Sequence, residues 1–98
     1  IRVQLHELPK NIDTFRCAGG YFSEYDMENM NEIAPIVTSK YQTLAYYGFE
    51  REELLRFVKQ NHLYGLDRIV PVGDTTAFSL IWDGNNLIEM FSRIVTVL

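Results

Sequence analysis

The sequence predicts an α/β fold, a layered sheet carrying a parallel strand-helix-strand unit, and three observations point there. Residues 41–73 run from a short apolar stretch bounded by Gly48, through an amphipathic segment opened by glutamates, to a second apolar stretch closed by Pro71 and Gly73. Strand, helix and strand in that order make a right-handed crossover with parallel strands. At the start of the chain Ile1, Val3 and Leu5 alternate with Arg2, Gln4 and His6, the period of a half-buried strand. Finally, 98 residues with 47% hydrophobic and 13% aromatic content suit one domain over residues 1–98 rather than a disordered tail. A domain this small buries a modest share of its surface, so its stability is sensitive to the removal of any neighbour it packs against.

Taken in order, the first strand stops at Pro9, and residues 14–17 read as a second short strand ended by Gly19 and Gly20. Ser23 followed by Asp26 resembles an N-cap; Met27, Met30, Ile33, Ala34 and Val37 then recur at helical spacing, with Pro35 bound to kink or end the helix. Residues 41–47 suit a central strand covered on both faces. Glu50, Glu52 and Glu53 favour a helix N-terminus, Leu54, Leu55 and Val58 give the apolar face, and Lys59 and Gly65 suit the end. Residues 68–72 form the partner strand, and residues 78–82 a further extended stretch before the turn Asp83-Gly84. Asn86 with Glu89 resembles a capping box for a third helix ending near Arg93, and the closing Ile94-Val95-Thr96-Val97-Leu98 reads as a strand. Ile1 already lies in a strand and the chain closes on an apolar run, so both ends are expected to continue into something larger, with the last strand pairing there or with another subunit.

A net charge of −4 and scattered basic residues disfavour nucleic acid or an anionic membrane as partner, since both need a clustered positive field. Arg51, Arg56 and Lys59 are interleaved with Glu50, Glu52 and Glu53, as on a solvated helix face. One cysteine, Cys17, makes no internal disulfide, and neither a signal segment nor a membrane-length apolar run is present, so a soluble cytoplasmic protein is expected. GxGxxG, a Walker lysine loop, GxSxG and HExxH are all absent. Cys17, beside Arg16 and the glycines, has some features of a nucleophile, but a lone cysteine on a short strand reads first as a small buried apolar residue. His6 and His62 read as structural, with no cysteine or carboxylate at a metal or nucleophile offset. Asp67 and Arg68 suggest a local ion pair. Tyr41, Tyr46 and Tyr47 either line a pocket or, by default, pack in the core. Trp82 before Asp83-Gly84 reads either as a pocket wall or as a packed ring ahead of a turn.

Three stretches together resemble the C-terminal end of the long-chain fatty acyl-CoA reductase family, the aldehyde-forming reductases of bacterial bioluminescence operons and their non-luminous relatives. They are Lys40-Tyr41-Gln42-Thr43-Leu44 with Tyr47-Gly48, then Gly65-Leu66-Asp67-Arg68-Ile69-Val70-Pro71-Val72-Gly73, then Ile81-Trp82-Asp83-Gly84 with Ser92-Arg93. They cover about residues 40–95, and the first forty residues match in pattern only. The resemblance implies the C-terminal part of an aldehyde dehydrogenase-like catalytic domain, completed by the rest of the reductase chain and assembled as a homo-oligomer. It implies transfer of an acyl group from acyl-CoA to a cysteine and reduction of that thioester by NADPH; a thiolate suits this as both nucleophile and leaving group. The family's nucleophile and nucleotide-binding domain lie upstream of anything matched here, so Cys17 does not inherit the catalytic role and this chain holds neither a catalytic nor a cofactor-binding residue. The loop before Trp82 is the segment the resemblance sets near the substrate, with Phe78 and Trp82 as pocket-wall residues. Asp74-Thr75-Thr76-Ala77 departs from the fuller apolar or basic sequence usual after the Val-Gly.

Two further readings compete with the enzyme fragment. One is a self-standing binding or oligomerisation module, which should begin and end in polar, frayed sequence. The other is the small domain of an acyl-activating ligase, which should carry a lysine in a Gly-rich context that this chain lacks.

Overall fold

Alternation at the start of the chain yields a strand, β1 (Arg2–Gln4), in a computed structural model that describes residues 1–15 and 17–98. β1 pairs in parallel with β2 (Phe22–Glu24), Val3 opposite Ser23. The Leu5 amide extends the ladder by donating to the Glu24 carbonyl at 2.7 Å. Across the pair Arg2 grips Glu24 with Nε to Oε1 at 2.5 Å and Nη2 to Oε2 at 2.9 Å. That hydrogen-bonded contact holds the Glu24 carboxyl below its ordinary range and raises Arg2 further. Arg2 is exposed and Glu24 half-buried at the surface, so the pair fixes register more than it adds stability.

Ser23 therefore lies in a strand, not at a helix N-cap, and the strand expected at residues 14–17 is also replaced. Residues Ile12–Phe15 form a 3₁₀ turn in which the Thr14 amide and hydroxyl both donate to the Asn11 carbonyl, at 2.9 and 2.7 Å. Such local bonding by a hydroxyl competes directly with a ladder. Arg16 lies outside the described residues, and Cys17 is exposed rather than buried.

The first expected helix is a 3₁₀ helix, Met30–Ile36, that starts after Met27. Its N-terminus is made by Asn29, whose Oδ1 accepts from the Asn31 amide at 2.8 Å. Glu32 Oε2 accepts from the amides of Asn29 (2.9 Å) and Glu28 (2.7 Å), and the Tyr25 hydroxyl donates to Glu32 Oε1 at 3.0 Å. Pro35 brings no amide to an α-type bond with the Asn31 carbonyl, which favours the tighter 3₁₀ form, and Val37 is already extended. The amide of Asn29, the Tyr25 hydroxyl and the amide of Glu28 hold the Glu32 carboxyl below its ordinary value, and the same contact raises Tyr25. A depressed folded-state pKa means stability present above the unfolded value of 4.5 and lost as pH falls through the folded one. The melting-temperature deficit of Glu32→Gln should thus be full above about pH 5.5 and shrink toward about pH 3. A deficit independent of pH over that window would contradict this role.

The central unit forms as the sequence predicts. β3 (Thr43–Tyr46) and β4 (Arg68–Pro71) pair in parallel, Leu44 opposite Ile69 and Ala45 opposite Val70, joined through α1 (Arg51–Asn61). Glu53 Oε2 accepts from the Glu50 amide at 2.8 Å in a reciprocal cap. The helix ends on His62 in the left-handed region, not at Gly65. Gly65, at φ +101°, lies against the backbone of Thr38 and Ser39. α1 buries Leu54 (6% exposed) and Phe57 (2%), the fully buried hydrophobic side chains among the described residues.

Beyond β4, β5 (Ile81–Trp82) and β6 (Asn85–Asn86) make an antiparallel hairpin around Asp83 and Gly84, both at positive φ, as an Asp-Gly turn requires. α2 (Leu87–Met90) is a single turn, with Asn86 Oδ1 accepting from the Ile88 amide at 3.1 Å. It stops short of Arg93, and residues 94–98 form no strand. Ile94, Val95, Val97 and Leu98 are each at least 84% exposed, because an apolar run without a neighbouring ladder has no partner for its amides.

The architecture is mixed α/β, but its strands form three separate two-stranded sheets instead of one layered sheet, and the central strand is half-buried rather than covered on both faces. The radius of gyration is 17.0 Å, where a compact 98-residue chain has about 13 Å. Its accessible surface is 8199 Å², against roughly 5,800 Å² for a compact monomer of this mass. Among the described residues no helix is long and apolar enough to cross a membrane.

Candidate functional site

The residues that sequence reading singled out near Trp82 are brought together by Arg68. This side chain leaves the first position of β4, and the loop after the strand folds back over it. Its Nη1 donates to the Thr75 carbonyl at 2.7 Å and its Nη2 to the Ala77 carbonyl at 2.9 Å. Its guanidinium carbon also lies 4.3 Å from the Trp82 ring centroid. Trp82 in turn meets Phe78, with centroids 5.1 Å apart and planes tilted by 37°. Phe78 is 69% exposed and Trp82 half-buried, so the pair presents an aromatic face to the outside.

Magnitudes rank these contacts. A hydrogen bond from a charged donor contributes about 1.5–3 kcal/mol, a partly desolvated cation over an indole about 1–2 kcal/mol, and a tilted ring pair about 0.5–1.5 kcal/mol. Arg68 is therefore the main tie between the loop and the β3-β4 sheet. The expected Asp67-Arg68 ion pair does not form: Arg68 is directed at carbonyls seven and nine residues on and at Trp82. Asp67 instead closes on the hairpin turn, where a Cβ added at Gly84 would sit 2.8 Å from Asp67 Oδ1.

The other residues considered from sequence do not converge. Tyr41 lines an apolar cleft of about 170 Å³ with Ile33, Ile36, Val37, Leu44 and Leu66. Tyr46 lines another of about 210 Å³ against Leu54, Leu55, Val58 and Ile69, and Tyr47 is 88% exposed. They share no pocket and none is core. Both clefts fall below the roughly 300 Å³ at which small-molecule sites begin. His6 and His62 are exposed, and among the described residues no group of three or more His, Cys, Asp or Glu is placed to hold a metal ion.

The residues present do not fit the phosphates of a nucleotide. Among the described residues the one long helix after a strand is α1, and its N-terminus carries Glu50, Glu52 and Glu53, with the Glu53 carboxylate already accepting the Glu50 amide. A phosphate there would meet like charge instead of free amides.

Sequence reasoning missed Arg68 as the organiser of this site. Its partners are backbone carbonyls, which leave no trace in residue type; the available signal was a strand-opening arginine followed within a short loop by the chain's single tryptophan. No protein-family model, curated protein or solved structure matches this chain.

Proposed function

We propose that this chain is the C-terminal part of a cytoplasmic, homo-oligomeric acyl-CoA reductase of the aldehyde dehydrogenase type, which reduces a long-chain acyl-CoA to a fatty aldehyde with NADPH. Its contribution is one wall of the acyl site, formed by Phe78 and Trp82; the nucleophile and nucleotide site belong to the remainder of the reductase chain. The observation that carries this reading is the exposed Phe78-Trp82 aromatic face, held by Arg68 on the loop after a parallel strand-helix-strand unit. An apolar face of this kind suits an alkyl chain, whose binding is driven by removing apolar area from water. The small core and large accessible surface also support a chain that completes its packing against more protein.

A second reading, a non-catalytic α/β binding or oligomerisation module, is favoured by the exposed apolar residues Ile94, Val95, Val97 and Leu98. An NADPH oxidation assay with long-chain acyl-CoA separates the two. Turnover is expected from the longer reductase containing this chain and none from the 98 residues alone; a longer protein inert with every acyl-CoA would leave the module reading standing.

A further inference from the structure

We infer that Arg68 is a positioning residue for the acyl-site wall, setting where Phe78 and Trp82 stand and thereby the enzyme's grip on long acyl chains. This rests on the proposed acyl-CoA reductase activity.

The Val72 amide still continues the β3-β4 ladder, donating to the Tyr46 carbonyl at 2.9 Å, but the loop of residues 73–80 beyond it has little to hold it in place by itself. Among the described residues its internal bonds are short-range: the Asp74 amide to the Pro71 carbonyl and the Ala77 amide to the Asp74 carbonyl, both 3.0 Å, and the Ser79 hydroxyl to the Ile81 carbonyl at 2.5 Å. Each closes a local turn, and only the bond to Pro71, at the end of β4, reaches the β3-β4 sheet. Arg68 adds the longer-range tie, with two hydrogen bonds and a ring contact from one planar group. Fixing the Ala77 carbonyl fixes the peptide plane that carries the Phe78 amide and Cα, and so restricts where the Phe78 ring can stand. Phe78 then rests on Trp82, whose other support is the hairpin closed by the Leu87 amide on the Leu80 carbonyl at 2.9 Å. The placement of the two rings thus depends on Arg68 together with that hairpin.

The chemistry requires arginine at this position. A guanidinium has several donors in a fixed plane and a flat face that stacks on indole, whereas lysine has a single point charge and cannot span two carbonyls while covering the ring. Arg68→Lys keeps the charge and the stem and removes the fork, so it separates positioning from electrostatics. Arg68→Met keeps the stem alone.

Trp82 is the only tryptophan in the 98 residues, so fluorescence of this chain reports the site directly. Acrylamide quenching of Trp82 should rise about twofold in Arg68→Lys and further in Arg68→Met, with helix content by circular dichroism unchanged in Arg68→Lys. In the longer reductase, Arg68→Lys should raise KM for a long-chain acyl-CoA roughly tenfold while leaving kcat, and KM for a short-chain acyl-CoA, within about twofold. Unchanged quenching in Arg68→Lys, or KM values raised equally for long and short chains, would overturn the inference while the wild type remained an active reductase. A wild type inert with every acyl-CoA would overturn the reductase activity itself, and this inference with it.

Discussion

Gly65→Ala is expected to lower stability by at least about 3 kcal/mol, combining overpacking with the penalty of a left-handed backbone. Gly65 has φ +101°, and a Cβ there would overlap the Thr38 carbonyl and lie 2.5 Å from the Ser39 amide nitrogen. Those obstacles are backbone atoms, which cannot rotate aside. They also belong to the segment between the second 3₁₀ helix and β3, so relieving the overlap would shift the strand that carries the central register. For a chain of this size the loss corresponds to a fall in Tm of about 12 °C or more. Gly73→Ala is the control: its φ is +103°, but a Cβ there meets nothing within 4 Å, so it should lose only about 1–2 kcal/mol from backbone conformation. Equal melting temperatures for the two variants would remove close packing from the explanation.

Phe57→Ala should cost about 3–5 kcal/mol, the range for truncating a fully buried aromatic residue. Phe57 is 2% exposed and borders one cleft with Met30, Asn31 and Phe49, alongside the 2.7 Å hydrogen bond from Asn61 to Asn31 that joins α1 to the 3₁₀ helix. With Leu54 as its one fully buried companion among the described residues, there is little apolar material to collapse into the gap. Net stabilities of about 5–15 kcal/mol leave small room for such a loss. The check is a urea titration, where Phe57→Ala should show a much lower midpoint or no cooperative transition. Leu55→Ala, at a position 41% exposed on the same helix, should cost about 1 kcal/mol or less. Similar midpoints for the two variants would contradict a core centred on Phe57.

Local signals made β3, α1 and β4 legible in the sequence: a glutamate-rich helix start, an apolar face at helical spacing, and short apolar runs closed by glycine or proline. The Asp83-Gly84 turn was legible for the same reason, since only certain residues tolerate positive φ. Phe57, by contrast, was not on the expected apolar face of Leu54, Leu55 and Val58, because the 3₁₀ helix that covers it is more than twenty residues away. The spacing of Met27, Met30, Ile33, Ala34 and Val37 suggests an α-helix there, but the Asn29-Glu32 cap and Pro35 decide its true start and form. Residues 94–98 have strand composition but no ladder to join, which composition alone does not reveal. At the candidate site, Trp82 is legible as a large ring ahead of a turn and Phe78 is named through the family resemblance alone, whereas Arg68 acts through carbonyls and leaves no sign beyond an apparent ion pair with Asp67.

Whether this chain completes an acyl-CoA reductase is decided by product analysis. The product of the full reading frame that encodes these 98 residues would be incubated with NADPH and a long-chain acyl-CoA, and aldehyde and free CoA quantified against NADPH consumed. Equal amounts of all three are expected, with no aldehyde when the 98-residue chain is used alone. Absence of both aldehyde and acyl-CoA-dependent NADPH oxidation with the full reading-frame product would rule the reductase out.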